Sequence, residues 1–189
     1  MRKEEIRNIM KCRKRQLSGN DKREAASRVF GCLEATGAFM QSDNILIYHS
    51  LPDELPTVDF LLKWHRHKHL FLPRVNGEDL DILPFSPGKL QTGAFNIEEP
   101  TGDDIADISN IEMIIVPAIA YDRNGNRVGR GKGYYDRLLQ KSSHTIKIGV
   151  GYDFQLVDNI EVEPHDIPVD AIITEKFFIK TDNNKDLWH

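Results

Sequence analysis

The sequence predicts an α/β protein in which a mainly parallel sheet is covered by helices on both faces, a three-layer α/β/α arrangement. Three observations carry this reading. Short apolar runs alternate along the chain with segments of helical period. Two of these runs, Ile45-Leu-Ile-Tyr48 and Met113-Ile-Ile-Val116, lack the polar alternation of a half-exposed strand and suit strands buried on both faces. The length of 189 residues fits one domain over 1–189. A chain of that size buries about 70% of the surface its unfolded form exposes.

The first 40 residues read as two helices. Ile6, Ile9, Met10 and Leu17 recur at near-helical spacing, and residues 18–21 form a break rich in capping side chains. The second helix carries Ala25, Ala26, Val29, Phe30 and Leu33. The run at 45–48 is the first strand. Pro56-Thr57 opens a helix through Phe60, Leu61 and Trp64, and Leu70-Phe-Leu72 is the next strand. Residues 81–85 form a strand that Pro84 confines to an edge, since proline offers no N–H to a neighbour. After the run at 113–116, a helix is expected from Lys132 to Lys141 and a strand at 146–150. Residues 171–174 are the last expected strand. In such sheets ligands bind beyond the carboxyl ends of strands, so the loops after Tyr48, Leu72, Val116 and Val150 should face the site.

Composition narrows the function classes. Forty per cent apolar and 29% charged residues describe an ordinary globular chain, and a net charge of −4 argues against a general nucleic-acid binder. Cys12 and Cys32 have no paired spacing, so they are expected to be thiols in a reducing compartment. The basic and acidic start lacks the apolar core of a signal peptide. No run approaches the roughly 20 apolar residues of a membrane helix. A cytoplasmic protein without a membrane partner is the expectation.

The most informative segment is Arg127-Val-Gly-Arg-Gly-Lys-Gly-Tyr-Tyr-Asp136. Gly129, Gly131 and Gly133 alternate with Arg130 and Lys132. Glycine lets backbone amides approach an anion closely and permits the positive φ angles of an anion-binding nest. Arginine adds a planar fork and lysine a mobile point charge. The P-loop pattern fails because Gly133, not Ser or Thr, follows Lys132. The pattern G-x-G-x-x-G fails because Tyr134 stands at its last glycine. By these residues alone, a phosphate cradle and a tight basic surface turn both remain open.

With the preceding Val116-Pro-Ala-Ile-Ala-Tyr-Asp122, this segment resembles the 5-formyltetrahydrofolate cyclo-ligases, also called 5,10-methenyltetrahydrofolate synthetases, and the resemblance extends over nearly the whole chain. It implies a NagB/RpiA/CoA-transferase-like fold and an ATP- and Mg2+-dependent enzyme that cyclises 5-formyltetrahydrofolate to 5,10-methenyltetrahydrofolate, releasing ADP and phosphate. The implied ATP-binding residues are Lys3, Arg7, Arg127, Val128, Gly129, Arg130, Gly131, Lys132, Gly133, Tyr134 and Tyr135. Asp136 and Asp166 are the implied metal ligands. Arg130, Lys132 and Tyr134 are the expected catalytic residues, and His49, Glu54, Phe95 and Tyr134 the expected substrate contacts. A monomer that binds 5-formyltetrahydrofolate and ATP is expected.

Local readings stand beside these. Lys3 and Arg7 lie four residues apart on one helix face, which by itself fits a solvated basic stripe shared with Lys11 and Lys14. Asp53-Glu54 fits an acidic helix entry, Phe95 a core aromatic, and residues 163–166 a solvated acidic loop. Arg74 fits a surface ion pair or an anion contact, and Gln155 receives no role. His165 and Asp166, as sequence neighbours, are not expected to face each other. Two rival functions remain: a phosphate-binding isomerase of the same broad fold, needing neither ATP nor magnesium, and a non-catalytic folate or nucleotide module. Magnesium-dependent ATP binding separates the first from the cyclo-ligase, and turnover separates the second.

Overall fold

The computed structural model describes residues 1–183. Helix α1 spans Lys3–Lys14 and α2 spans Gly19–Glu34. The expected break between them is a capping box. Ser18 Oγ accepts from the Asp21 N–H at 3.0 Å, and the Asp21 carboxylate accepts from the Ser18 N–H at 2.9 Å. A five-residue helix, α3 (Gly37–Gln41), follows, capped by Thr36. It is too short for a periodic pattern to reveal.

Strand β1 (Asn44–Ile47) then leads to α4 (Val58–Trp64), β2 (His69–Asn76) and β3 (Asp79–Pro84). A small hairpin follows, β4 (Leu90–Thr92) with β5 (Glu98–Pro100), and then β6 (Met113–Val116). Next come β7 (Ala120–Asp122), β8 (Arg127–Val128), α5 (Tyr134–Gln140), β9 (Ile146–Val150) and β10 (Leu156–Val157). Strands β11 (Ala171–Ile173) and β12 (Phe178–Lys180) close the described chain.

The main sheet has seven strands in the order β12-β11-β9-β6-β1-β2-β3. Its five inner strands are parallel, while β12 and β3 are antiparallel edges. Pro84 sits in the edge strand β3, where its missing N–H costs nothing. Alternation along the strands builds two cores. Ile45, Ile47, Met113 and Ile115 pack with α2, α3 and α4, whereas Leu46, Ile114 and Val116 pack with Leu138 and Leu139 of α5. Helices thus cover both faces, as expected of a mostly parallel α/β sheet. Helix α1 lies apart from these layers, with Ile6 and Met10 buried against Ala120, Val128 and Ile160.

Several boundaries differ from the sequence reading, most of all at the start of α5 and along β2. Helix α5 begins at Tyr134 rather than Lys132, because Gly131 (φ +98°) and Gly133 (φ +71°) hold left-handed turns that a helix cannot contain. The strand at 171–173 is followed by β12, which the sequence reading omits. The small sheets β4-β5 and β10-β7-β8 are also absent from that reading, their strands being two or three residues long. Among the described residues no helix is long and apolar enough to cross a membrane.

Leu46 is fully buried between the sheet and α5, so Leu46→Ala should cost about 2–5 kcal/mol. Ser18→Ala removes only a cap and should cost about 1 kcal/mol. Urea unfolding midpoints of the two variants against the wild type measure the difference.

Candidate active site

A cleft of about 510 Å³ opens at the carboxyl ends of β1 and β6, roofed by α1 and the glycine loop. Three of the four loops expected at the site contribute: Tyr48, His49, Leu51 and Glu54 after β1, Pro73 and Val75 past Leu72 on β2, and Pro117 and Ala118 after β6. The segment after Val150 reaches the site through Tyr152, whose hydroxyl donates to the Glu54 carbonyl at 3.2 Å. Gln155, which had no role from sequence, braces this edge. Its amide donates to the Ala118 and Ile119 carbonyls at 3.0 and 2.9 Å and accepts from the Tyr152 N–H at 2.8 Å.

The glycine loop forms the cationic wall. Arg7 of α1 donates through Nε to the Gly129 carbonyl at 2.9 Å, fixing the loop to the helix. Gly129, Arg130, Gly131, Lys132, Gly133, Tyr134 and Tyr135 all line the cleft. Val128 does not. Its side chain is buried against α1, and its carbonyl accepts from the Ile119 N–H at 2.7 Å. As an apolar residue on β8, it contributes its side chain to the core under α1.

The two expected metal ligands converge although 30 positions separate Asp136 from Asp166. Asp136, His165 and Asp166 present ligand atoms all within 4.8 Å of one another. Each carboxylate already faces a cation. Asp136 Oδ1 meets Arg127 Nη2 at 2.6 Å, with the guanidinium almost fully buried. Asp166 Oδ2 meets Lys3 Nζ at 2.6 Å, and Glu163 adds a second carboxylate to that lysine at 3.0 Å. Burial opposes ionisation at Asp166, yet the hydrogen bond from Lys3 and the Glu163 N–H outweigh it and hold the carboxyl below its usual range. Burial likewise disfavours the Lys3 ammonium, but Asp166 and Glu163 leave its pKa raised. Arg127 Nε is buried with no hydrogen-bond partner among the described residues. Such a donor carries a desolvation cost of about 1–3 kcal/mol. The two carboxylates of this set supply the hard oxygen donors that magnesium takes, and His165 adds a nitrogen beside them.

Beside the cations lies a mixed apolar and acidic wall, with Glu54 3.8 Å from Arg130. Glu54 accepts from the Leu51 N–H at 2.8 Å, and burial raises its pKa. Burial also lowers the pKa of His49 beside it. Phe95 is not a core aromatic. It stands exposed at the tip of the β4-β5 hairpin with φ +59° and Asn96 at +58°, a two-residue left-handed turn that usually takes asparagine and glycine. Strain of this kind at a cleft points to a functional constraint. The Phe95 ring lies 6.4 Å from the Tyr134 ring, and Lys132 Nζ is 5.6 Å from its centroid. Tyr134 commits its hydroxyl to the Gly77 carbonyl at 3.2 Å, so it offers the cleft a ring face. Tyr135 packs against the core, where burial raises its pKa strongly.

Several lining residues were not singled out in the sequence. Glu99 is buried, accepts from the Val75 N–H at 3.1 Å and faces the cleft. Nothing in Glu98-Glu99 shows which of the two turns inward until β5 packs beside β2. His165 also lines the cleft, with Nε2 3.7 Å from Asp166 Oδ1, so in this loop sequence neighbours do converge. Arg74 stays outside, donating to the Gly102 carbonyl at 2.7 Å with Asp81 at 3.8 Å.

The profile of the 5-formyltetrahydrofolate cyclo-ligase family matches residues 1–175. The chain is 29% identical over 175 residues to the 5-formyltetrahydrofolate cyclo-ligase of Escherichia coli K12, covering 88% of this chain and 96% of the relative. It is 30% identical over 144 residues to the Haemophilus influenzae enzyme of the same name, covering 70% and 76%. The solution structure of Aquifex aeolicus 5,10-methenyltetrahydrofolate synthetase superposes with a TM-score of 0.87 at 32% identity, covering 99% and 96%.

The raised pKa of Glu54 has a consequence for stability. A carboxyl whose folded pKa exceeds its unfolded value near 4.5 binds its proton better when folded. Its ionisation therefore costs stability once pH rises through the folded pKa, and the cost vanishes below the unfolded one. Glu54→Gln keeps the acceptor for Leu51 and should melt above the wild type at pH 7. That gap should close toward pH 4 in thermal unfolding followed by circular dichroism.

Proposed function

The chain belongs to the 5-formyltetrahydrofolate cyclo-ligase family, and on that premise we propose that it closes 5-formyltetrahydrofolate to 5,10-methenyltetrahydrofolate with ATP and magnesium. One observation carries the proposal. The glycine loop with its cations, the paired carboxylates and the Glu54 wall all meet in a single cleft of about 510 Å³. That volume lies in the range of small-molecule sites.

The chemistry explains why such a cleft suits the reaction. The N5-formyl group is an amide, so its carbon is a weak electrophile and its oxygen a poor leaving group. Its oxygen attacks the γ-phosphorus of ATP, the bond to the bridging oxygen breaks, and ADP departs. N10 then adds to the activated carbon and loses its proton. Expulsion of phosphate forms the methenyl bridge. No covalent protein nucleophile is needed, and the protein's task is positioning and charge stabilisation.

In this reading Lys132 and Arg130, with the amides between Gly129 and Gly133, stabilise charge on the transferring phosphoryl group. Arg7 holds that loop through the Gly129 carbonyl. Arg127 keeps Asp136 oriented, and Lys3 does the same for Asp166. A magnesium ion held by Asp136 and Asp166 would neutralise charge on phosphate oxygens. Glu54 accepts N–H donors of the reduced pterin, Phe95 and Tyr134 offer ring faces to its aromatic parts, and His49 lines the pocket. A single-domain monomer acting in the cytoplasm completes the proposal.

The test is turnover of 5-formyltetrahydrofolate with Mg-ATP, followed by near-ultraviolet absorbance of the methenyl product. The wild type should show ATP-dependent product. Folded protein without product would refute the proposal, and the absence of magnesium-dependent ATP binding in calorimetry would favour the isomerase alternative. Lys132→Ala should lower kcat about a hundredfold by removing a transition-state cation. Glu54→Ala should act mainly through KM for the folate. Unchanged turnover in both variants would refute the assigned roles.

A further inference from the structure

Four charged side chains form a chain across the top of the cleft, and the reading above uses only the last two. Lys14, in the last turn of α1, is buried although its ammonium would ordinarily be solvated. Its Nζ faces Asp53 Oδ2 at 3.6 Å. Asp53 Oδ1 accepts from Arg130 Nη2 at 2.8 Å, and the same Nη2 lies 3.8 Å from Glu54 Oε2. The glycine loop and the pterin-facing wall are therefore joined by one guanidinium with two carboxylates to choose from.

The choice is unequal. Asp53 holds Arg130 in a hydrogen bond, whereas Glu54 lies beyond hydrogen-bond distance. Glu54 instead turns Oε1 to the Leu51 N–H, and its backbone carbonyl is held by Tyr152. We propose that Asp53 is a positioning residue that holds Arg130 away from Glu54, keeping the Glu54 carboxylate available to the folate, with Lys14 fixing Asp53 for that task. Without Asp53, the cheapest partner for the Arg130 guanidinium is Glu54, whose buried carboxylate gains more from a cation than an exposed one does. A carboxylate paired with arginine is a poorer acceptor for a pterin N–H. Lys22 Nζ, which donates to the Pro52 carbonyl at 2.7 Å, braces the same segment through its backbone.

This inference rests on Glu54 contacting the folate, so the experiment separates the two ideas. Binding of 5-formyltetrahydrofolate to the full chain is measured by calorimetry, and the melting temperature alongside it, for the wild type, Glu54→Gln, Asp53→Asn, Asp53→Glu, Arg130→Gln and Asp53→Asn/Arg130→Gln. Both side chains of the Asp53–Arg130 pair are nearly half exposed, 45% and 44%, so the effect is modest. Asp53→Asn should raise the folate Kd about three- to fivefold. Asp53→Glu should restore most of the loss, and the double variant should bind as well as Arg130→Gln alone, because the competing cation is gone. A purely structural role would instead lower the melting temperature and survive removal of Arg130. If Glu54→Gln weakens binding while Asp53→Asn does not, the positioning role is refuted and the folate contact stands. If Glu54→Gln leaves binding unchanged, both are refuted.

Discussion

The buried pair between Arg127 and Asp136 is the constraint around which the cleft is organised. A guanidinium taken out of water is tolerated only with a partner, and the 2.6 Å contact to Asp136 supplies one. Because Arg127 lies on β8 and Asp136 in the first turn of α5, that requirement fixes how the chain returns from strand to helix. The eight residues between them must then make a compact excursion. Glycines with positive φ at 131 and 133 allow it, and the result is a loop with its cations turned into the cleft.

The same logic of paired charge recurs around the site. Lys3 meets Asp166 and Glu163, Lys14 meets Asp53, and Arg130 meets Asp53. Each cation comes from α1 or the glycine loop, and each carboxylate here comes from a loop at the sheet's carboxyl edge. A small anionic co-substrate and a divalent cation suit such a lattice, since each can exchange with a like-charged partner already present. A uniformly basic pocket would bind phosphate but would have to be held open against its own repulsion.

Much of the fold was legible because its signals are local. The runs that became β1 and β6 needed only their own composition, and Ser18 with Asp21 marked a helix start by reciprocal capping. The short strands β4, β5, β7, β8 and β10 were not legible, since two or three residues give no period to read. In the site, the glycine loop announced itself through spacing. The inward turn of the Val128 side chain was hidden because a motif read as one unit conceals the alternation along β8. Phe95 looked like a core residue because nothing in Ala-Phe-Asn-Ile suggests a left-handed turn. Lys14 and Asp53 read as solvated charges, one in a basic stripe and one at an acidic helix entry, for a related reason. Burial of a lysine depends on what docks over it, and that partner is 39 positions away.

The long-range pairing also settles what holds the first helix in place. A terminal segment orders only when something ties it down, and α1 has ties of two kinds. Ile6 and Met10 are buried against Ala120, Val128 and Ile160, which supplies apolar area independent of salt. Lys3, Arg7 and Lys14 then fix its rotation, because each must reach a different partner: Asp166, the Gly129 carbonyl and Asp53. A helix rolled by even a third of a turn would satisfy none of them together. Apolar burial therefore decides that α1 docks, and the three polar contacts decide the face it turns to the cleft. Lys3 and Arg7 reach the glycine loop and the carboxylates from the protein's own core packing.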